Sequence, residues 1–361
     1  MSGRASAEQR AAKLVRPEIR ALTRYAVANA QGLIKLDAME NPYALPDALR
    51  ERVGNLAREV PINRYPDGSG ERVKQALRDA YDIADDLAIM LGNGSDELIQ
   101  IVTTALAQPG AVVAAPDPSF VMYRLNAIHA GLRFVGVDLA PDFTLDVAAW
   151  RETVARHAPV LVFIAYPNNP TANLFAVDAI EEIIVATPGL VVIDEAYQPF
   201  AQRSFLDRIR EFPNLLVLRT LSKLGMAGLR LGYAVGAPAW IEELEKIRPP
   251  YNVNALTQAL VPLLLSSRDI LAGQAAAIRD ERSRLARELA SLRGVTVHPS
   301  DANFVVIRVP DAAAWFNALK DAGILVKNLD GWHRVVANCL RITIGTPTEN
   351  DALVAALRTL A

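Results

Sequence analysis

Between Leu87 and Val235 the chain repeats one pattern: a short, almost wholly apolar run, a turn, then a stretch with helical spacing. The apolar runs fall at 87–91, 111–115, 132–137, 160–165, 190–193, 215–218 and 231–235, and helical stretches occupy 95–107, 119–129, 145–157 and 176–186. The runs lack the polar alternation of a strand with one wet face, so they fit a sheet covered on both sides. Strand–helix alternation of this length predicts an α/β fold with a mostly parallel central sheet flanked by helices. It also says where to look for chemistry, because ligands on such sheets bind at loops beyond the strand ends.

Outside the repeat the texture changes. Residues 1–20 read as a polar helix or frayed arm, Gly32–Asp37 as a short strand, and Met39–Tyr43 as a turn centred on Pro42. Helices are expected over 46–58 and 71–81, with the turn formers of Asn63–Gly70 between them. Beyond Pro249-Pro250 come two helices, 253–266 and 268–292, the second rich in Arg and Glu at helical spacing. Strands at 295–298, 303–309, 324–326 and 340–344, with helices at 311–322 and 348–360, complete an α+β pattern. The expected organisation is an N-terminal arm (1–40) joining a small domain, a large α/β domain (41–250), and the small C-terminal α+β domain (251–361). A chain of 361 residues suits two domains and can bury a substantial core.

The totals exclude several classes of function. A formal net charge of −2 gives no electrostatic case for nucleic acid or an anionic membrane. No run of uncharged apolar residues reaches the length of a membrane span, and Met1–Arg20 lacks the apolar core of a secretory signal. Cys339 is the single cysteine, which rules out an intrachain disulfide and suits a reducing compartment; the cytoplasm is the expected location. His129, His157, His298 and His333 lie far apart, so no metal site is expected.

Five stretches carry possible chemistry, and each has a plainer reading beside it. Leu218–Gly232 places Lys223 just after an apolar strand, with Ser222 before it and Arg230 further on. A lysine there can form a Schiff base with a carbonyl cofactor, and serine and arginine can hold a phosphate, although an isolated loop lysine is usually a solvated charge. In Leu91–Glu97 the glycines and the helix start at Ser95 and Asp96 leave backbone N–H groups for an anion, or form an ordinary helix cap. Phe120 in Asp117–Tyr123 can stack on a planar ring or fill the core. Tyr166–Thr171 holds two asparagines between prolines, either a turn or a rigid mount for an amide. Asp194 in Leu190–Tyr197 ends an apolar strand, where a half-desolvated carboxylate needs a partner such as a protonated pyridine, or caps the next helix. Tyr197 follows it and could reach a neighbouring phenolic oxygen. Together they supply a phosphate cradle, a ring stacker, an amide, a carboxylate and a lysine, the inventory that pyridoxal 5′-phosphate requires.

The chain resembles the fold-type I pyridoxal-phosphate aminotransferases, specifically the histidinol-phosphate aminotransferase group, from about residue 20 to the C-terminus. The motifs, in order, are Asn63-Arg-Tyr-Pro-Asp67, Gly92-Asn-Gly-Ser-Asp-Glu97, Pro167-Asn-Asn-Pro-Thr171, Val192-Ile-Asp-Glu-Ala-Tyr197, Thr220-Leu-Ser-Lys223, Ala227-Gly-Leu-Arg230 and Leu340-Arg-Ile-Thr-Ile-Gly345. The resemblance implies that Lys223 bonds the cofactor and shuttles the proton, and that Asp194 pairs with the pyridine N–H. Asn169 and Tyr197 would bond the phenolic oxygen and Phe120 would stack on the ring. Gly94, Ser95, Asp96, Ser222 and Arg230 would hold the cofactor phosphate, joined by Tyr65 from a partner subunit, which makes a homodimer the catalytic unit. Arg341, Tyr25, Asn41 and Lys327 would form the substrate shell.

Three positions depart from the family pattern. Ala172 stands where many relatives have glycine, which disfavours a positive φ there. The loop from Lys223 to Arg230 is one residue shorter than in many relatives, which bears on the reach of Arg230. Lys327 occupies a place expected for an arginine, keeping the charge but losing the planar fork. The implied reaction is amino transfer between L-histidinol phosphate with 2-oxoglutarate and imidazole-acetol phosphate with L-glutamate, in histidine biosynthesis. The alternatives are an aromatic amino acid aminotransferase, a related enzyme akin to the threonine-phosphate decarboxylases, or, from another class, an NTP-binding protein.

Overall fold

The computed structural model describes residues 6–24 and 28–361. Helices α1 (Ala7–Leu14) and α2 (Pro17–Arg20) precede β1 (Ile34–Lys35), shorter than the strand expected over 32–37. Helices α3 (Asp47–Glu59) and α4 (Glu71–Tyr81) follow. The repeat then runs β2 (Ala88–Asn93), α5 (Ser95–Ala105), β3 (Val112–Asp117), α6 (Val121–Ala130), β4 (Arg133–Asp138), α7 (Val147–His157), β5 (Leu161–Ala165) and α8 (Val177–Ala186). It closes with β6 (Leu190–Asp194), the short α9 (Gln198–Ala201), β7 (Leu215–Thr220), β8 (Leu231–Gly236) and α10 (Pro238–Glu245).

These strands form one seven-stranded sheet in the order β2-β8-β7-β6-β5-β3-β4, parallel except that β8 runs against both neighbours. Every residue of β5, β6, β7 and β8 is buried, as the unbroken apolar runs required. Successive residues alternate between two packed layers. Leu161 and Phe163 belong to one apolar cluster, and Val162 and Ile164 belong to the other. The sheet therefore has helices on both faces and exposes chemistry only at its ends. Parallel pairing sends the C-termini of β3, β5, β6 and β7 to one edge, so Asp117, Ala165, Asp194 and Thr220 end side by side.

The remainder comprises α11 (Ala255–Leu265), α12 (Arg268–Ala290), β9 (Thr296–Val297), β10 (Phe304–Arg308), α13 (Ala312–Asp321), β11 (Ile324–Leu325), β12 (Lys327–Asn328), β13 (Cys339–Thr343) and α14 (Pro347–Arg358). Strands β12-β13-β10-β9 make an antiparallel sheet. Strand β1 pairs in parallel with β11, and the Leu36 carbonyl accepts from the Thr343 N–H at 2.9 Å. Residues 34–36 thus belong with the C-terminal strands. The preceding arm lies against α6, where Arg16 Nη2 donates to the Ile128 carbonyl at 3.3 Å. The expected joining of residues 1–40 to the small domain therefore holds only for their last part. Helix α11 instead lies against α3 and α4, and Thr257 Oγ1 donates to the Leu229 carbonyl at 2.6 Å.

Ala172 takes φ +71° while wholly buried, contrary to the expectation that alanine keeps this turn at negative φ. Its N–H donates to the Asn168 carbonyl at 2.8 Å and its carbonyl accepts from Asp301 N–H at 2.8 Å. Those two bonds hold a conformation that costs an L-residue about 1–2 kcal/mol.

Directly behind the functional edge, Glu195 and Arg219 form a buried ion pair at 2.9 Å. Glu195 also accepts from Ser204 Oγ at 2.9 Å and from the Phe205 N–H at 2.6 Å. The pair fastens the turn after β6 to β7. Removing one partner strands a buried charge, so Arg219→Met is expected to lower stability by roughly 3–5 kcal/mol. The double variant Arg219→Met/Glu195→Gln should recover much of that loss, as read by urea denaturation.

Candidate active site

The strand-end loops enclose a cavity of about 560 Å³, counting its mouth. Nine residues singled out from sequence line it, Ser95, Asp96, Phe120, Asn169, Asp194, Tyr197, Ser222, Lys223 and Arg230, from loops following β2, β3, β5, β6 and β7, whereas Gly94, Asn41, Arg341 and Lys327 are not among its lining residues.

Asp194 is 4% exposed. Its Oδ1 accepts from the Ala196 N–H at 3.1 Å and its Oδ2 from the Tyr123 hydroxyl at 2.8 Å. Burial pushes its carboxyl up to about 6, against the opposing pull of those two hydrogen bonds. Lys223 sits in the turn Ser222–Met226, where Gly225 takes φ +111° and an added Cβ would lie 2.9 Å from Asn41 Nδ2. Its Nζ donates to the Ala38 carbonyl at 3.1 Å and lies 5.8 Å from the Tyr197 ring centre. Burial first, then the Arg341 charge, lowers the Lys223 amine to about 8. An amine lowered in this way can act as a nucleophile or base nearer neutral pH than an ordinary lysine.

Ser95, Ser222 and Arg230 bring hydroxyl and guanidinium donors, groups able to hold an anion, into the cavity lining. Helix α5 starts after Gly94, whose φ of +84° brings the chain against Arg230; an added Cβ would lie 2.5 Å from Arg230 Nη2. Among the described residues no side chain caps this helix, so its first N–H groups face an outside acceptor. Arg230 Nη1 lies 3.4 Å from Ser222 Oγ and Arg230 Nη2 3.5 Å from Asp96 Oδ2, so the short loop does not keep Arg230 from the cavity. Thr220 Oγ1 anchors Ser222 through its N–H at 3.2 Å and its Oγ at 3.0 Å.

Of the two asparagines after β5, Asn168 binds its own surroundings. It accepts from Ser119 Oγ at 2.8 Å and donates to Thr171 Oγ1 at 2.7 Å, joining two strand-end loops. Asn169 faces the cavity, donates to Tyr197 Oη at 3.3 Å and accepts from Arg341 Nη1 at 2.6 Å. Arg341 comes from β13 and also donates to the Asp37 carbonyl at 2.9 Å. Lys327 pairs with Arg341 in the strand register and lies 5.3 Å from the Trp332 ring centre. Asn41 Nδ2 donates to Gln274 Oε1 at 2.9 Å, beside the loop carrying Lys223.

One expected residue, Tyr65, stands apart. Tyr65 is 81% exposed and stacks on Tyr251 at 4.7 Å, away from this chain's own cavity. Tyr25 lies outside the described residues. The lining residues missed are Met39, Tyr123, Ala165, Ala196 and Thr220. Tyr123 stands three positions after Phe120, a helical spacing that could have marked it.

The buried carboxylate has a measurable consequence for the ligand-free protein. Its folded carboxyl lies above the unfolded value, so its contribution to stability is full below about pH 4 and is lost as pH rises through about 6. A shift of about two pH units corresponds to roughly 3 kcal/mol. Asp194→Asn should therefore raise the melting temperature at pH 8 and change it little at pH 4, by calorimetry on ligand-free protein.

A chain with this cavity has close relatives. The profile of the aminotransferase class I and II family matches residues 31–357. Histidinol-phosphate aminotransferase of Chromobacterium violaceum is 54% identical over 346 residues, covering 96% of this chain and 97% of that protein. Histidinol-phosphate aminotransferase 1 of Burkholderia lata is 51% identical, with 96% and 97% covered. The crystal structure of histidinol-phosphate aminotransferase from Sinorhizobium meliloti in complex with pyridoxal-5′-phosphate superposes with a TM-score of 0.84 at 25% identity, covering 96% and 98%. The chain belongs to the class I and II aminotransferases, within the histidinol-phosphate aminotransferase family.

Proposed function

We propose that this protein is a pyridoxal 5′-phosphate-dependent transaminase that interconverts L-histidinol phosphate plus 2-oxoglutarate and imidazole-acetol phosphate plus L-glutamate. The observation that carries the reading is that a lysine, a buried carboxylate and the first residues of a helix without a side-chain cap line one cavity. The residues fit the cofactor: an acidic partner for a pyridine nitrogen, an anion cradle and an amine are all required, and all are present. When bound, the cofactor supplies a carbonyl for amines and a ring that withdraws electrons.

The chain's own residues divide the remaining work. The backbone of Gly94, Ser95 and Asp96, with Ser222 and Arg230, binds the phosphate. Asp194 keeps the pyridine nitrogen protonated, Asn169 and Tyr197 donate to the phenolic oxygen, and Phe120 covers one ring face. Lys223 Nζ would be the residue that bonds the cofactor carbonyl and the base that accepts the proton from the substrate Cα. Arg341 binds the substrate carboxylate or phosphate, with Lys327, Asn41 and Tyr25 completing the shell.

Assembly follows from Tyr65. It lies next to Ile62, 83% exposed, and stacks on Tyr251, 45% exposed, an apolar surface suited to a second copy. The working unit is then a cytoplasmic homodimer in which Tyr65 of each subunit serves the other's phosphate. Residues 41–250 form the large cofactor domain and 251–361 with residues 34–36 of the arm the small one, with α11 resting on the large domain. Among the described residues no helix is long and apolar enough to cross a membrane.

Steady-state kinetics with histidinol phosphate and phenylalanine test the substrate. The phosphorylated amine should be preferred at least about a hundredfold in kcat/KM, because a site built for a phosphate leaves buried polar groups unpaired without it. Comparable turnover would favour the aromatic aminotransferase. Lys223→Ala should lose at least about 10⁴-fold in kcat.

A further inference from the structure

Tyr123 is wholly buried, lines the cavity, and touches two residues of the proposed site. Its hydroxyl donates to Asp194 Oδ2 at 2.8 Å. Its ring meets Phe120 edge-on, with centres 5.7 Å apart and planes at 85°. Its other contact is Phe163 of β5, stacked at 4.6 Å with planes 2° apart. A tyrosine that only filled the core would need none of this geometry, and phenylalanine would serve.

We infer that Tyr123 is a positioning residue for the reaction: its hydroxyl holds Asp194 oriented and ionised for the cofactor's ring nitrogen, and its ring backs Phe120 against the ring face. The inference rests on the proposed role of Asp194. A carboxylate pinned at one oxygen by the Ala196 N–H and at the other by Tyr123 cannot rotate away when the cofactor leaves. The same bond supports the charge. Asp96 from α5 and Glu195 on the adjoining turn both push the Asp194 carboxyl upward, as does burial; Tyr123 pulls it down. Lys223 and Tyr197 face the same cavity from the loops after β7 and β6. The Tyr123 hydroxyl itself is held well above the ordinary tyrosine value, by burial and then by the Asp194 charge, so it stays a donor throughout the working range.

The test measures how the cofactor-free protein takes up pyridoxal phosphate as a function of pH, by equilibrium dialysis. Wild-type affinity should fall as pH drops through about 6, where a protonated Asp194 no longer pairs with a protonated ring. In Tyr123→Phe the fall should begin about one pH unit higher, with affinity reduced about twofold at pH 7 and roughly tenfold near pH 5. Phe163→Leu, which loosens the same packing and leaves the hydroxyl in place, should lower the melting temperature without moving the pH dependence. In an Asp194→Asn background Tyr123→Phe should have no further effect on the pH dependence. A Tyr123→Phe profile that overlays the wild type, or one that Phe163→Leu reproduces, overturns the inference. Loss of pH dependence in Tyr123→Phe with full retention of affinity in Asp194→Asn would instead overturn the role given to Asp194. A readout free of substitutions is the labelled tyrosine hydroxyl proton in ligand-free wild-type protein. It should give a slowly exchanging low-field resonance that shifts as Asp194 titrates, and the absence of such a resonance also overturns the proposal.

Discussion

A carboxylate at the end of a buried strand is the constraint on which the rest of this site depends. Asp194 terminates β6, whose residues are all buried, and it cannot be solvated as a surface aspartate would be. The fold answers with two hydrogen-bond donors, Ala196 N–H and Tyr123 Oη, and leaves the carboxyl still displaced towards neutrality. Lys223 lines the same cavity with its amine displaced the other way. Opposite groups pushed towards each other's range are a recurrent sign of a functional site. The cost falls on the ligand-free fold, and in the proposed reading a cationic ring paired with Asp194 would offset it.

The two sheets divide the geometry. The parallel strands deliver five loops to one edge because parallel pairing aligns their ends, and Asn168 then binds the loop after β5 to the loop after β3. The antiparallel sheet contributes through a side chain: Arg341 leaves β13, crosses to Asn169 and bonds the Asp37 carbonyl beside the N-terminal strand. One guanidinium therefore connects the large sheet, the small sheet and the N-terminal segment. A fork of donors is required for that, which lysine lacks. Lys327, next to it in register, has only a point charge and packs against Trp332.

Rigidity is supplied from behind the site. The Glu195–Arg219 pair and its Ser204 and Phe205 partners fasten the turn immediately following Asp194. Ala172 accepts left-handed backbone so that its two hydrogen bonds can join the turn after β5 to Asp301. Neither feature touches the cavity, yet both limit how far Asp194 and Asn169 can move.

Much of this was legible in the sequence, and the limits have physical causes. The apolar runs and helical spacings located every strand of the large sheet to within a few residues, because burial on two faces imposes its own pattern. Lys223, Asp194, Asn169 and the Gly94–Asp96 turn were visible because each sits at a strand end with recognisable local chemistry. Ala172 misled, since local preference yielded to hydrogen bonds made with a distant segment. Tyr123 was overlooked because its partner, Asp194, lies 71 positions away, and spacing along a chain carries no record of such a meeting. The sequence by itself determined the order of elements, the cofactor chemistry and the family. Only tertiary structure decided which side chains share an electric environment, because desolvation and hydrogen bonding depend on neighbours in space, not in the chain.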